Sequence, residues 1–205
     1  MNILHIDCST RPRSQSRQLS AGLVDALLRS RPDGRVVRRD LGRDPVPHTG
    51  PAYSEAVTSR AALAAGIASG AVDASEALIV EVEAADILVI GTPMHNFGVP
   101  SVLKAWIDQI VRVGRTFKPV PEGKVGLLRD RPVFVCIASG GYFSGERANQ
   151  PDFLTPYLTA ILGCVGLTDI RYLAVQGTAF QDEAQATAAR QALLDGVDIS
   201  VPAAA

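Results

Sequence analysis

Three short segments of this chain carry side chains of the right type and spacing for chemistry. The first is Gly91-Thr92-Pro93-Met94-His95-Asn96-Phe97-Gly98-Val99-Pro100, which follows the apolar run Ile87-Leu88-Val89-Ile90 and leads into an amphipathic stretch. Backbone N–H groups freed by such a turn reach ring heteroatoms, Asn96 offers both a donor and an acceptor, and Met94 with Phe97 offers an apolar wall. These residues suit a flat ring better than a phosphate. The second segment, Cys8-Ser9-Thr10-Arg11-Pro12-Arg13-Ser14-Gln15-Ser16, is rich in hydroxyls and cations and precedes a helical pattern. At a helix start the unpaired N–H groups and the macrodipole favour an anion, while Ser14 or Ser16 could equally serve as a plain N-cap. The third, Ala138-Ser139-Gly140-Gly141-Tyr142-Phe143, pairs glycines that admit a close backbone approach with aromatics that could cover a ring.

The elements that must position these segments are legible as alternation. Strand-like runs lie at Ile3–Cys8, Arg35–Asp40, Ile87–Gly91, Pro132–Ser139 and Asp169–Val175. Several are nearly continuous apolar stretches, as expected of strands covered on both faces. Between them, Leu19, Leu23, Ala26 and Leu27 follow a helical spacing, as do Leu103, Ile107, Ile110 and Val111. Residues 54–69, 72–85, 151–164 and 181–197 read as further helices, with Gly70 marking a break. The pattern predicts one α/β domain over residues 1–205, a doubly wound five-stranded parallel sheet with helices on both faces. Residues 117–131 break the rhythm with Pro119, Pro121, Gly123 and Gly126, and are expected to form a long irregular loop of functional or interface character. The terminal Ala203–Ala205 is expected to fray. All three chemical segments follow strands of one sheet, so they converge at its carboxyl edge. A phosphorylated planar ring uses all of them, and FMN is the natural candidate.

Composition removes other classes. The formal net charge is −1 with no basic block, which excludes nucleic acid and anionic membrane as main partners. The clusters Arg29/Arg31 and Arg35/Arg38/Arg39 read as solvated surface. No signal segment or membrane span is expected. Cys8, Cys136 and Cys164 form no Cys-x-x-Cys pair, which fits a reduced cytoplasm and no metal site. Neither glycine-rich nucleotide fingerprint is present. A low-molecular-weight phosphatase would need Cys-x5-Arg after the first strand, but six positions beyond Cys8 stands Ser14, with Arg13 one residue early.

Taken together, the motifs resemble those of the FMN-dependent NADH:quinone reductases, also called azoreductases, of flavodoxin-like fold. Ser9 and Ser14-Gln15-Ser16-Arg17-Gln18-Leu19 resemble that family's phosphate loop. Pro93-Met94-His95-Asn96-Phe97 through Leu103-Lys104 resembles its isoalloxazine loop and following helix, and Gly114-x-Thr116-Phe117 with Gly123-x-x-Gly126 resembles the segment after it. The resemblance implies a ping-pong, two-electron hydride transfer through flavin N5, from NADH or NADPH to a quinone or azo acceptor. It implies Ser9, Ser14, Gln15 and Ser16 at the phosphate, and Pro93, Met94, His95, Asn96, Phe97, Ser139, Gly140 and Gly141 at the isoalloxazine. It also implies a homodimer in which aromatics of the partner cover the flavin, with Phe117 and Tyr142 as substrate or interface candidates and Trp106 and Ile110 in interface or core. His95 stands where the family has Tyr, and either donates a proton or simply packs. Ala138-Ser139 stands where a Ser-Arg pair is common. His5 is expected to be structural and His48 a solvated loop residue. The alternatives are a flavodoxin-like electron carrier and a flavin-binding redox module without turnover.

Overall fold

Apolar runs near the start, middle and end of the sequence become neighbours in one sheet. The computed structural model describes residues 1–200; the terminal alanines lie outside the described residues. The chain runs β1 (Asn2–Asp7), α1 (Gln15–Ser30), β2 (Arg35–Asp40), then α2 (Pro51–Ala56), α3 (Arg60–Ser69) and α4 (Asp73–Ala84). It continues through β3 (Ile87–Pro93), α5 (Ser101–Ile110), β4 (Phe117–Val120), β5 (Gly123–Gly126), β6 (Val133–Ala138), α6 (Thr155–Val165), β7 (Ile170–Val175) and α7 (Glu183–Gly196). The main sheet has the order β2-β1-β3-β6-β7 and is parallel throughout. The predicted five-stranded doubly wound sheet is therefore what the chain forms.

Alternate residues of the central strands feed two cores. Leu4, Ile6, Leu88, Ile90, Val133 and Val135 meet Ile79 and Val82 of α4, Trp106 of α5 and Leu158 and Leu162 of α6. Ile3, Ile87, Val89, Phe134 and Cys136 meet Leu19, Leu23 and Leu27 of α1, with Leu193 and Leu194 of α7 outside them. Burial on both faces explains why these strands read as continuous apolar runs rather than as alternation. Trp106 and Ile110 are fully buried, which settles them as core. No single helix among the described residues is long and apolar enough to cross a membrane.

Two expectations change. Residues 54–69 are two helices, because Pro51 starts the first early and Ser59 caps a second by accepting from Ala62 N–H at 3.1 Å. Thr58 Oγ1 donates to the Glu55 carbonyl at 2.7 Å, a local bond that competes with helix continuation. Gly70 ends α3 at φ 78°, the left-handed cap its position required. Residues 117–131 are not irregular throughout. They hold the antiparallel hairpin β4–β5, turned at Pro121-Glu122.

Register places the site. Asp7 stands opposite both Asp40 and Gly91, and Pro93 opposite Ala138. The loops after β1, β3 and β6 therefore leave one carboxyl edge. Chain order reverses between β1 and β3, which is where open α/β sheets bind ligands.

Candidate functional site

The loop between β1 and α1 is a bed of buried hydroxyls. Ser14 is the N-cap of α1, its Oγ accepting from Arg17 N–H at 3.3 Å. Ser14 Oγ lies 3.3 Å from Ser16 Oγ, and Ser9 Oγ accepts from Arg11 N–H at 3.3 Å. All three serines are buried. The plain cap and the hydroxyl cluster are thus the same structure. The N–H groups of Thr10, Gln15 and Ser16 meet no acceptor among the described residues. Residues 8–16 include no carboxylate. This donor set fits the phosphate of FMN. The Gln15 side chain turns away, accepting from Arg190 and donating to Glu183 at 3.5 Å, so the backbone N–H is what Gln15 leaves free.

Beneath this loop lies a charged network the motifs did not reveal. Arg17 pairs with Asp40 and lies 3.3 Å from Asp7 Oδ2. Ser20 Oγ donates to Asp7 Oδ1 at 3.4 Å and lies 2.9 Å from His5 Nε2. The Arg17 guanidinium holds the Asp40 carboxyl below the usual carboxylate range. Burial outweighs the pull of Asp7 and lowers His5. Cys8 is buried and desolvation pushes its thiol up, the opposite of the lowered thiol a phosphatase nucleophile needs.

The second loop is a tight turn. His95 and Gly98 exchange two N–H···O bonds of 3.0 Å, closing Asn96 (φ 49°) and Phe97 (φ 68°) between them. Two consecutive left-handed residues define the mirror-image turn that glycine usually serves. Asn tolerates this conformation, whereas Phe does not, at a cost of about 1–2 kcal/mol. His95, Asn96 and Phe97 are exposed, and Phe97 keeps 42% of its surface in solvent. Strain retained at a solvent-facing turn is a mark of function.

The third loop locks onto the second. Met94 N–H donates to the Ala138 carbonyl at 2.8 Å. Gln150 Nε2 donates to Ser139 Oγ at 2.9 Å and lies 3.2 Å from Met94 Sδ. Ser139 is buried behind Met94, while Gly140 is exposed at the rim. Gln150 was missed in the sequence because Asn149-Gln150-Pro151 reads as ordinary loop. Tyr142 carries Arg147 over its ring at 4.3 Å. His5 is buried and His48 exposed, as expected.

A family model described as the flavodoxin-like fold matches residues 1–196. FMN-dependent NADH:quinone oxidoreductase 4 of Pseudomonas fluorescens is 48% identical over 184 residues, 89% of this chain and 87% of that protein. The FMN-dependent NADH:quinone oxidoreductase of Ralstonia nicotianae is 38% identical over 208 residues, covering 99% of this chain and all of that one. This chain belongs to that family. The crystal structure of an azoreductase from Bacillus anthracis superimposes with a TM-score of 0.81 at 25% identity, over 95% of this chain and 97% of that one.

Within this NADH:quinone oxidoreductase family member, Phe117 belongs to the hairpin that follows α5. It is buried at the root of the β4–β5 hairpin, with Lys124 4.9 Å over its ring. The exposed aromatics at the Asn96-Phe97 turn are Phe97 and Phe153, joined by a bond of 2.9 Å from Phe153 N–H to the Phe97 carbonyl. Phe153 also lines an open, largely apolar groove of ≈ 700 Å³ with Val99, Lys104 and Tyr157. Among the described residues no cluster of His, Cys, Asp or Glu could hold a metal.

Proposed function

We propose that this chain is an FMN-dependent NADH:quinone oxidoreductase that also reduces azo compounds. The observation that carries this is the meeting of two unlike loops at one sheet edge: buried hydroxyls and free N–H groups on α1, and a strained, solvent-facing turn at Asn96-Phe97. Ser9, Ser14 and Ser16, with the N–H groups of Gln15 and Ser16, hold the phosphate. Pro93, Met94, His95, Asn96 and Phe97 line the isoalloxazine, with Gly140 and Gly141 along its edge and Ser139 steadying Met94. FMN supplies hydride acceptance and release, so no nucleophile is asked of the protein. The chain's part is to orient the ring and leave one face open for donor and acceptor in turn. The whole chain acts as one domain, in the cytoplasm and as a homodimer, with Phe97, Phe153 and the apolar groove turned toward the second subunit. Tyr142 lies close enough in sequence to Gly140 to border the substrate.

The test is spectroscopic. The purified protein should be yellow, should bleach with NADH under anaerobic conditions, and should recover its colour on adding a quinone. A colourless protein that takes up no FMN ends the proposal. Asn96→Leu should weaken FMN retention about 10-fold, the worth of one hydrogen bond. An unchanged affinity removes Asn96 from the site.

A further inference from the structure

Arg17 sits in the first turn of α1 and points back beneath the loop that precedes it. Its Nε and Nη2 both donate to the Ser9 carbonyl, at 2.9 and 2.6 Å. Nη1 donates to Asp40 Oδ2 at 2.8 Å, and Nη2 pairs with the other oxygen of the same carboxylate. Asp7 Oδ2 stands 3.3 Å from Nη1. The fork of the guanidinium thus grips a backbone carbonyl on one side and two carboxylates on the other.

The grip fixes the neighbouring donor. In a planar trans peptide the carbonyl and the following N–H point in opposite directions. With the Ser9 carbonyl directed at Arg17, the Thr10 N–H is directed away from it, toward the open side of the loop, and it meets no acceptor among the described residues. Gly42 completes the brace from β2. A Cβ at that position would overlap the Ser9 carbonyl and lie 2.9 Å from Arg17 Nη2. Arg17 is not the phosphate's counter-ion, because two carboxylates already face its single positive charge.

We infer that Arg17 is a positioning residue for the FMN phosphate: it orients the Ser9–Thr10 peptide so that the Thr10 N–H joins the serine hydroxyls as a donor. The inference rests on the FMN reading above, and it separates the phosphate from the rest of the flavin. The measurement is the dissociation constant of the full-length chain, freed of flavin by dialysis, for FMN and for riboflavin, which lacks the phosphate. Arg17→Met should raise the FMN constant about 10- to 100-fold, the scale of charge-assisted bonds, and change the riboflavin constant less than about 3-fold. Arg17→Lys, which keeps the charge without the fork, should recover only part of the loss. Equal weakening of both flavins, or no weakening of either, overturns the inference. A wild-type chain that binds neither flavin overturns the FMN reading itself. Should Arg17→Met fail to fold, Asp40→Asn at the partly exposed end of β2 decides. A fall in FMN affinity relative to riboflavin of about 3- to 10-fold supports the inference, and an unchanged ratio overturns it.

Discussion

At the proposed phosphate end, the loop between β1 and α1 lies on a partly buried guanidinium, two carboxylates and a histidine, and its serines are all out of solvent. At the proposed ring end, the Asn96-Phe97 turn of the single chain is held by two backbone bonds, carries backbone strain, and faces water. Within a single chain, one end is over-determined and the other is left open. The division suits a cofactor enzyme. Binding energy gathered on a part of the ligand that does not react can hold the reacting ring in place, while two substrates need access to that ring in turn. A tightly walled ring end would retain flavin equally well and exclude the acceptor.

The largest effect should come from adding one methyl group at each end. Gly42→Ala places Cβ inside the Ser9 carbonyl and against Arg17, so either the loop or β2 must move. Overpacking of this kind costs about 1–3 kcal/mol, and we expect FMN affinity to fall by roughly 30-fold. Gly98→Ala meets nothing closer than the His95 carbonyl oxygen at 4.0 Å. Its FMN affinity should stay within about 2-fold. Flavin titration of both variants checks the contrast, and similar losses at the two positions would end it.

A smaller effect of opposite sign belongs to the ring end. Phe97→Gly relieves a left-handed residue of its Cβ penalty. The unfolded chain gains freedom in return, so the net stabilisation expected is about 0.5–1 kcal/mol, seen as a higher melting midpoint of the flavin-free protein. Quinone turnover should fall, because the aromatic wall is lost. A lower midpoint would mean that the ring packs well enough to outweigh the strain, and the ring end would be less open than its exposure suggests.

The sheet and most helices were legible because buried parallel strands leave long apolar runs, and α1 and α5 repeat their apolar residues at helical spacing. The three loops were legible from their side chains and from the rule that strand ends converge. Three things were hidden for physical reasons. The split at Val57–Ser59 depends on a serine cap that Ala-rich composition masks. The role of Arg17 depends on a carboxylate 23 residues away that becomes its neighbour only through the β1–β2 register. Gln150 sits in a stretch that reads as ordinary loop, and only the fold brings its amide to Ser139 and Met94.

The smallest effect concerns acid, and it also separates the two ends. His5 is buried against Ser20 and Asp7, and desolvation, with Arg38 and Arg17 nearby, lowers its pKa below the ordinary 6.5 despite Asp7 and Asp25. The unfolded chain therefore takes up this proton first as pH falls. Where the unfolded state binds more protons, stability rises with pH. The His5 contribution is undiminished above about pH 6.5 and declines as pH drops below it. Melting midpoints of wild type and His5→Gln at pH 7.5 and 5.0 should show a shallower acid decline in the variant. His95→Gln, at the exposed turn, should change stability by less than about 0.5 kcal/mol at pH 7.5. If the decline between pH 7.5 and 5.0 persists unchanged without His5, the proton does not enter at His5, and a decline that begins only at lower pH belongs to Asp40. Its carboxyl is held low by Arg17, so its contribution is present above the ordinary carboxylate value of 3.8 and is lost only as pH falls below that. The pH at which the decline begins therefore distinguishes the histidine beneath the phosphate loop from the carboxylate that braces it.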